Sequence, residues 1–264
     1  LCEQGRNFGN KIWNAYRLVN GWTADETAPQ SENNRLAAQW FRQVLGRTLR
    51  EVADDFRSYR TSEACTRDCR LFWDDFSAQY LEVVKPAFGQ PVDCRTLDET
   101  RGFFDALMRM LHPYMPFITE EIWQDLAPRA EGESICVAPM PEAEAADSAL
   151  LARFELVREI VSAVRNIRNQ KNLPQKEQLT LQVIADDNYP AEYAPVLMKM
   201  ANLSAIETVA GKDPAAAAFI VKTTQYFVPL AGMIDADAER KKLTDDLAYY
   251  EGFLASVMKK LSNE

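Results

Sequence analysis

NRLAAQWFRQVLGRTLREVADDFRSY, residues 34–59, is the stretch whose reading decides the fold. Its apolar residues Leu36, Ala37, Trp40, Phe41, Val44, Leu45, Val52, Ala53 and Phe56 recur at steps of three and four, the spacing of one buried helix face. The same period appears on either side. Upstream, Phe8, Ile12, Ala15, Tyr16 and Val19 share one arc of a first helix, with Gly21 near its stop and a polar loop over 23–33. Downstream, Leu71, Phe72, Phe76, Tyr80, Leu81 and Val84 mark a third helix over 61–85, which Pro86 ends because proline has no amide hydrogen to donate. Phe103, Phe104, Leu107, Met110 and Leu111 mark a fourth over 97–111, broken by Pro113 and Pro116. A short fifth helix is expected over 119–126, with Glu120 and Glu121 favourable beside its positive end. Helices joined by short loops predict an antiparallel bundle over 1–127.

Residues 128–147 are rich in Pro, Ala and Glu and read as an exposed connecting segment. The pattern then changes. A basic helix is expected over 148–172, ahead of Pro174. LTLQVI at 179–184 alternates as a strand, 193–200 is helical, and 205–209 is a second strand. The segments 218–222 and 226–230 pair as a hairpin, so 148–234 is a small α+β subdomain. In the last segment, 235–264, Leu243, Leu247, Tyr250, Leu254, Val257 and Leu261 have heptad-like spacing. Such a seam calls for a partner helix, as in a coiled-coil arm. The fold class is therefore mainly α: a helical bundle, a small α+β subdomain and the start of a helical arm.

Composition narrows the function. The chain has 264 residues, 47% hydrophobic and 26% charged, the balance of a globular protein with a substantial core. No apolar run is long enough to span a membrane, and no membrane partner is expected. The chain opens Leu1-Cys2-Glu3-Gln4 without Met or a signal peptide and reads as a fragment of something longer. Five cysteines without a secretory signal read as reduced thiols in the cytoplasm. Cys65 and Cys69 stand four apart and read as packed thiols, with a metal pair as the sharper alternative. His112 is the only imidazole, which excludes His-rich metal sites and leaves one possible centre for a catalytic triad. Its expected role is packing at a helix end, with acid–base work as the alternative. No metal site is expected.

The net charge is −9, so a whole-surface nucleic-acid binder is excluded and any RNA contact has to use a local patch. Residues 98–147 carry eleven acids and three arginines, whereas Arg153, Arg158, Arg165, Arg168, Lys171 and Lys176 make the next segment basic. No Gly-rich phosphate loop is present. Asp54-Asp55 and Asp74-Asp75 read as solvated helix faces, because adjacent side chains on a helix diverge. The first helix is more informative. Asn7, Asn10, Lys11, Asn14, Arg17 and Leu18 lie opposite its apolar arc, combining amides with positive charge in a way that suits base edges and phosphates. Asparagine is a poor helix former, so three of them weaken the alternative of an idle solvated face.

These residues also carry a resemblance. LCEQGRNF at 1–8, continuing NKIWNA at 10–15, closely resembles the start of the anticodon-binding domain of bacterial valyl-tRNA synthetases. LHPYMPFITEEIW at 111–123 looks like the signature shared by the class I synthetases for valine, isoleucine and leucine, as do YLE at 80–82 and KP at 85–86. RNIR at 165–168 with NLP at 172–174 resembles the valine enzymes more than their sisters. KKLSNE at 259–264 resembles the turn of their C-terminal coiled-coil arm. Two positions depart from the pattern: Gln79 and Leu18 stand where aromatics are expected, and Leu18 weakens any stacking on a base.

The resemblance implies an anticodon-reading part of such an enzyme, with valine tRNA as partner and no DNA. It implies contact residues Arg6, Asn7, Asn10, Lys11, Asn14, Arg17 and Leu18 on the first helix, with Arg165 and Arg168 as a second set. The His-x-Gly-His and Lys-Met-Ser-Lys-Ser motifs that bind ATP in class I enzymes are absent. The catalytic and editing domains are therefore expected before Leu1, with ATP and magnesium as the parent's cofactors, and no catalytic residue is expected in this stretch. The alternatives are the equivalent region of an isoleucine or leucine enzyme, a helical scaffold without RNA binding, and a hydrolase centred on His112.

Overall fold

The structure is a computed structural model of the chain and describes residues 2–143, 145–211, 216–230 and 236–261. It divides into two compact units, Leu1–Val161 with Pro190–Ala201, and Ser162–Tyr189 with Asn202–Glu264.

The first unit is the helical bundle. Helix α1 (Cys2–Asn20) leads through the two-residue strand β1 (Ala24–Asp25) to α2 (Glu32–Arg57). Ser31 starts α2 by accepting a hydrogen bond from the Asn34 amide at 3.3 Å. Helix α3 (Thr61–Arg70) runs on through a π-helical stretch, Leu71–Tyr80, into α4 (Leu81–Val84). Strand β2 (Val92–Asp93) pairs in parallel with β1. Asp93 then caps α5 (Cys94–Leu111), accepting from the Thr96 amide at 2.8 Å. Helix α6 (Pro116–Leu126) begins on a proline, whose fixed φ and missing amide hydrogen suit a first helical position. The expected third helix thus has the expected span, but its middle is wound in the wider i→i+5 form. That winding stacks Phe76 on Tyr80 inside the bundle at 5.5 Å and leaves Trp73 39% exposed.

The core is aromatic. Phe41 of α2 meets Phe76 at 5.3 Å, Tyr80 at 5.3 Å and Phe103 of α5 at 5.0 Å between ring centroids. Phe104 joins Phe72, Phe76 and the α1 residue Tyr16. Each fully buried ring contributes on the order of 2–3 kcal/mol of transfer free energy. The Tyr80 hydroxyl is satisfied inside this layer by the Thr100 hydroxyl at 2.8 Å, and Thr100 donates to the Thr96 carbonyl.

Asp55 is not a solvated acid. It is 1% exposed and accepts from Arg60 at 2.8 and 3.0 Å and from Arg67 at 2.7 Å, which holds its carboxyl below the usual range and locks the turn between α2 and α3. Asp54 does face solvent, with Arg57 beside it. The connecting segment is also less idle than expected. Ile135 is 3% exposed, and the Arg109 guanidinium donates to the Pro139 carbonyl at 2.8 Å.

Helix α7 (Ser148–Gln170) spans the expected basic helix, but the sequence boundary at 148 is not a packing boundary. Its first part belongs with the bundle: Phe154 stacks on Trp40 at 4.1 Å with the rings 15° from parallel. Helix α8 (Ala194–Ala201) also belongs there. Tyr193, just ahead of it, meets Phe154 edge-on, Glu192 pairs with Arg153 at 2.8 Å, and Lys199 donates to the Lys85 carbonyl at 3.0 Å. Residues 148–161 and 190–201 were expected in the α+β subdomain. Aromatic burial against α2 moves them, because a large ring gains most where it is fully enclosed.

The second unit holds a four-stranded sheet of β3 (Leu179–Ile184), β4 (Leu203–Thr208), β5 (Ala216–Val221) and β6 (Thr224–Pro229), in the spatial order β4-β3-β6-β5. The β3–β4 pair is parallel, and the β5–β6 hairpin is the one expected from the sequence. Leu179, Leu181 and Val183 alternate inward along β3. Just past the end of β3, Asp186 ties that strand to the β5–β6 turn, accepting from the hydroxyls of Thr223 and Thr224.

Helix α9 (Ala236–Leu261) covers most of the expected arm. Along the seam, Leu247, Tyr250 and Leu254 are 60%, 65% and 61% exposed. Asp235 and residues 262–264 lie outside the described residues, as do the side chains of Leu243 and Leu261. No described helix is long and apolar enough to cross a membrane.

Replacing Phe154 with alanine should cost about 3–5 kcal/mol, the usual loss for deleting a buried aromatic ring. Denaturant unfolding measures it, and a loss below about 1 kcal/mol would remove α7 from the bundle core.

Candidate nucleic-acid interface

Helix α1 places its residues in two sharply different environments. Ile12, Ala15, Tyr16 and Val19 are 6% exposed or less and seat the helix on the bundle. Arg6, Asn7, Asn10, Asn14, Arg17 and Leu18 are all exposed. Lys11 is half-buried, with its ammonium 4.7 Å from the centre of the Trp73 ring, a cation–π distance. The seven expected α1 residues therefore share one continuous outer face. Glu3 is the acid beside it, and it already pairs with Arg6 at 3.5 Å. The ion pairs among the described residues do not involve Arg17. The face thus carries net positive charge, three amides and an apolar patch at Leu18, which is 44% exposed.

The structure adds aromatic residues that sequence reading missed. Trp13 is 39% exposed on the same outer face, beside the expected contact residues. Trp73 of the π-helical stretch stacks on Phe8 at 6.0 Å with the rings 16° from parallel. Trp73 and Phe8 border an open cavity of about 580 Å³ between α1, α3 and the end of α5, lined also by Asn7, Cys65, Cys69 and Tyr114. Its size is that of a small-ligand or single-base pocket. A helical pattern in sequence assigns Trp73 to a face only if the turn is regular, and here it is not. Exposed rings of this kind can stack on bases without reading their edges.

Behind Cys69 and Tyr114 of this lining lies an unusual acid. Asp68 is 1% exposed, and neither carboxyl oxygen has a hydrogen-bond partner. Burial pushes its pKa up to about 8, so it is mainly protonated at neutral pH and adds little negative charge next to the α1 face. Burial likewise raises Cys69 to about 12, a packed thiol in keeping with the sequence reading, and raises the neighbouring Tyr114 hydroxyl.

The second expected set does not survive as written. Arg168 is 1% exposed. Its guanidinium donates to the carbonyls of Pro174 at 3.2 Å, Glu177 at 2.8 Å and Asn202 at 2.9 Å, so it knits the α+β unit together and is withdrawn from phosphate. Loops supply those carbonyls, and no periodicity announces such a role. Arg165, three residues earlier, is exposed. The positive excess of this helix is also largely spent inside the bundle. Arg153 pairs with Glu192, and Arg158 lies 3.4 Å from Asp75, whose carboxyl burial pushes up to about 6.

An outward-facing polar and cationic helix seated on a bundle suits contact with phosphates and base edges. Residues 38–184 match the family model described as the anticodon-binding domain of tRNA ligase, and the chain belongs to that family. Over its whole length it is 55% identical to valine–tRNA ligase of Parabacteroides distasonis. It is 52% identical to the valine–tRNA ligases of Porphyromonas gingivalis and of Phocaeicola vulgatus. In each case the match covers 100% of this chain and 30% of the relative, a C-terminal part of those enzymes.

Replacing Asp68 with asparagine should change the pH dependence of stability. The folded carboxyl titrates near 8 and the unfolded one near about 4. The native state therefore holds the extra proton between those values, and its stability falls as pH rises through that window. The variant, lacking this loss, should gain on the wild type from about pH 4 upward and level off above about pH 8. Urea unfolding at acidic, neutral and alkaline pH tests this, and parallel curves would contradict a protonated Asp68.

Proposed function

We propose that this chain is the part of a valine–tRNA ligase that holds the anticodon stem-loop of valine tRNA. The observation that carries the reading is the outer face of α1, with Asn7, Asn10, Asn14, Lys11, Arg17 and Arg6 side by side and aromatic rings next to them. Phosphates are met by the cations, and unstacked bases meet amides and rings. Leu18 contributes apolar contact and no ring. Arg165 is the remaining candidate on α7. The names of the relatives support valine as the amino acid. In this reading valine attachment, editing and the use of ATP and magnesium belong to the part of such an enzyme that this chain does not span. The catalytic and editing domains are then its partners within one polypeptide, and the setting is cytoplasmic, in keeping with unpaired thiols.

A titration with valine tRNA and an anticodon-swapped transcript, at two salt concentrations, tests the proposal. The valine tRNA should bind tighter, and its affinity should fall with salt. The double variant Lys11→Gln, Arg17→Gln should weaken binding and reduce the salt slope by about two, since each lost phosphate contact removes about 0.9. Binding unchanged in the double variant would overturn the α1 assignment. No salt-sensitive binding to either transcript would favour a helical scaffold.

A further inference from the structure

Three donor groups outside the proposed α1 face converge where α5 ends, α6 begins and the 3₁₀ turn Ile135–Val137 crosses them. His112 Nε2 lies 3.2 Å from Cys136 Sγ, and its Nδ1 lies 2.8 Å from Thr119 Oγ1. The Thr119 hydroxyl has one hydrogen and faces the Met115 carbonyl at 2.8 Å and the Pro116 carbonyl at 3.3 Å, which can only accept. It therefore donates to a carbonyl and accepts from Nδ1–H. That fixes the neutral His112 tautomer with its Nε2 lone pair turned toward Cys136. Glu120 supplies the third group. Its carboxylate accepts from Gln124 and from the Ser134 hydroxyl, each at 2.7 Å, which fixes its place beside the other two. Ser134 in turn accepts from the Cys136 amide at 3.2 Å, which fixes the turn that carries the thiol. The donor atoms of His112, Glu120 and Cys136 all lie within 4.8 Å of one another.

We propose that His112, Glu120 and Cys136 bind one divalent transition-metal ion of the zinc class. One imidazole nitrogen, one thiolate and one carboxylate match zinc's donor preferences. A calcium- or magnesium-class ion would want more oxygens. Tetrahedral zinc keeps nitrogen and sulfur donors about 3.5 Å apart, close to the 3.2 Å separation here. The Glu120 oxygen lies within 4.8 Å of the other two donors, against about 3.5 Å around tetrahedral zinc, so a rotation of its side chain by about 1 Å closes the site. Thr119 orients the imidazole from behind, in the place where a metal-binding histidine usually has a carboxylate, carbonyl or water. Binding replaces the Cys136 S–H bond with an S–metal bond and releases one proton. Water would complete the coordination. The ion would tie the connecting segment to α5 and α6. The sequence hides this site because its cysteine lies 24 residues from the histidine and outside any spaced motif. Among the described residues no third donor joins Cys65 and Cys69 within the same reach.

Titration of the 264-residue chain with Co²⁺, followed by displacement with Zn²⁺, tests the site. One ion per chain should bind, with a near-ultraviolet sulfur-to-cobalt band and release of a proton. Cys136→Ser, at an exposed position, should abolish the band and weaken binding at least ~10-fold with far-ultraviolet circular dichroism unchanged. The double variant Cys65→Ser, Cys69→Ser should keep both. Absence of one-to-one binding, wild-type binding by Cys136→Ser, or a band that disappears with Cys65 and Cys69 would each overturn the proposal.

Discussion

The burial of Phe41 against Phe76, Tyr80 and Phe103 is the contact on which the bundle depends. These rings come from α2, the π-helical stretch and α5, so enclosing one ring fixes three segments at once. Phe104 extends the layer to Tyr16 and so seats α1. With its inner face held by that layer, α1 has no freedom to roll, and its outer face is presented as a fixed surface. Preorganisation of this kind lowers the ordering cost of binding a flexible RNA loop.

Charge is distributed to the same end. The chain is acidic overall, and many of its arginines are spent on acids within the fold. Arg60 and Arg67 hold Asp55, Arg129 and Arg109 hold Asp105, and Arg153 holds Glu192. On α1 the balance differs, with Lys11 over a tryptophan ring and Arg17 outside those pairs. Asp68 is kept largely neutral by burial close to that surface. A local positive face on a protein of net charge −9 is thus produced by where the cations lack carboxylate partners, more than by how many there are.

Much of this was legible in the chain. The stripe on α2, the stops at Pro86 and Pro113, the alternation in β3 and the hairpin of β5 and β6 are local signals, and the elements formed where they pointed. The polar face of α1 was legible for the same reason, since a regular helix converts spacing into facing. Other features depended on partners distant in sequence. Arg168 looks like any surface arginine until three loop carbonyls surround it. Trp73 is turned outward by a π-helical winding that apolar spacing does not reveal. Asp55, expected on a solvated face, and Asp68, left unremarked, are both buried, one paired with two arginines and the other pushed toward its protonated form.

By itself the sequence determined the helical period, the breaks between elements and the polar stripe of α1, because hydrophobic spacing, proline and capping act within a few residues. Only the tertiary structure decided which unit α7 and α8 pack with, which arginines remain on the surface, and that His112 meets Cys136 and Glu120. Those outcomes rest on burial and on pairing between residues tens of positions apart, where the free energy of a side chain is set by neighbours that its own segment does not specify.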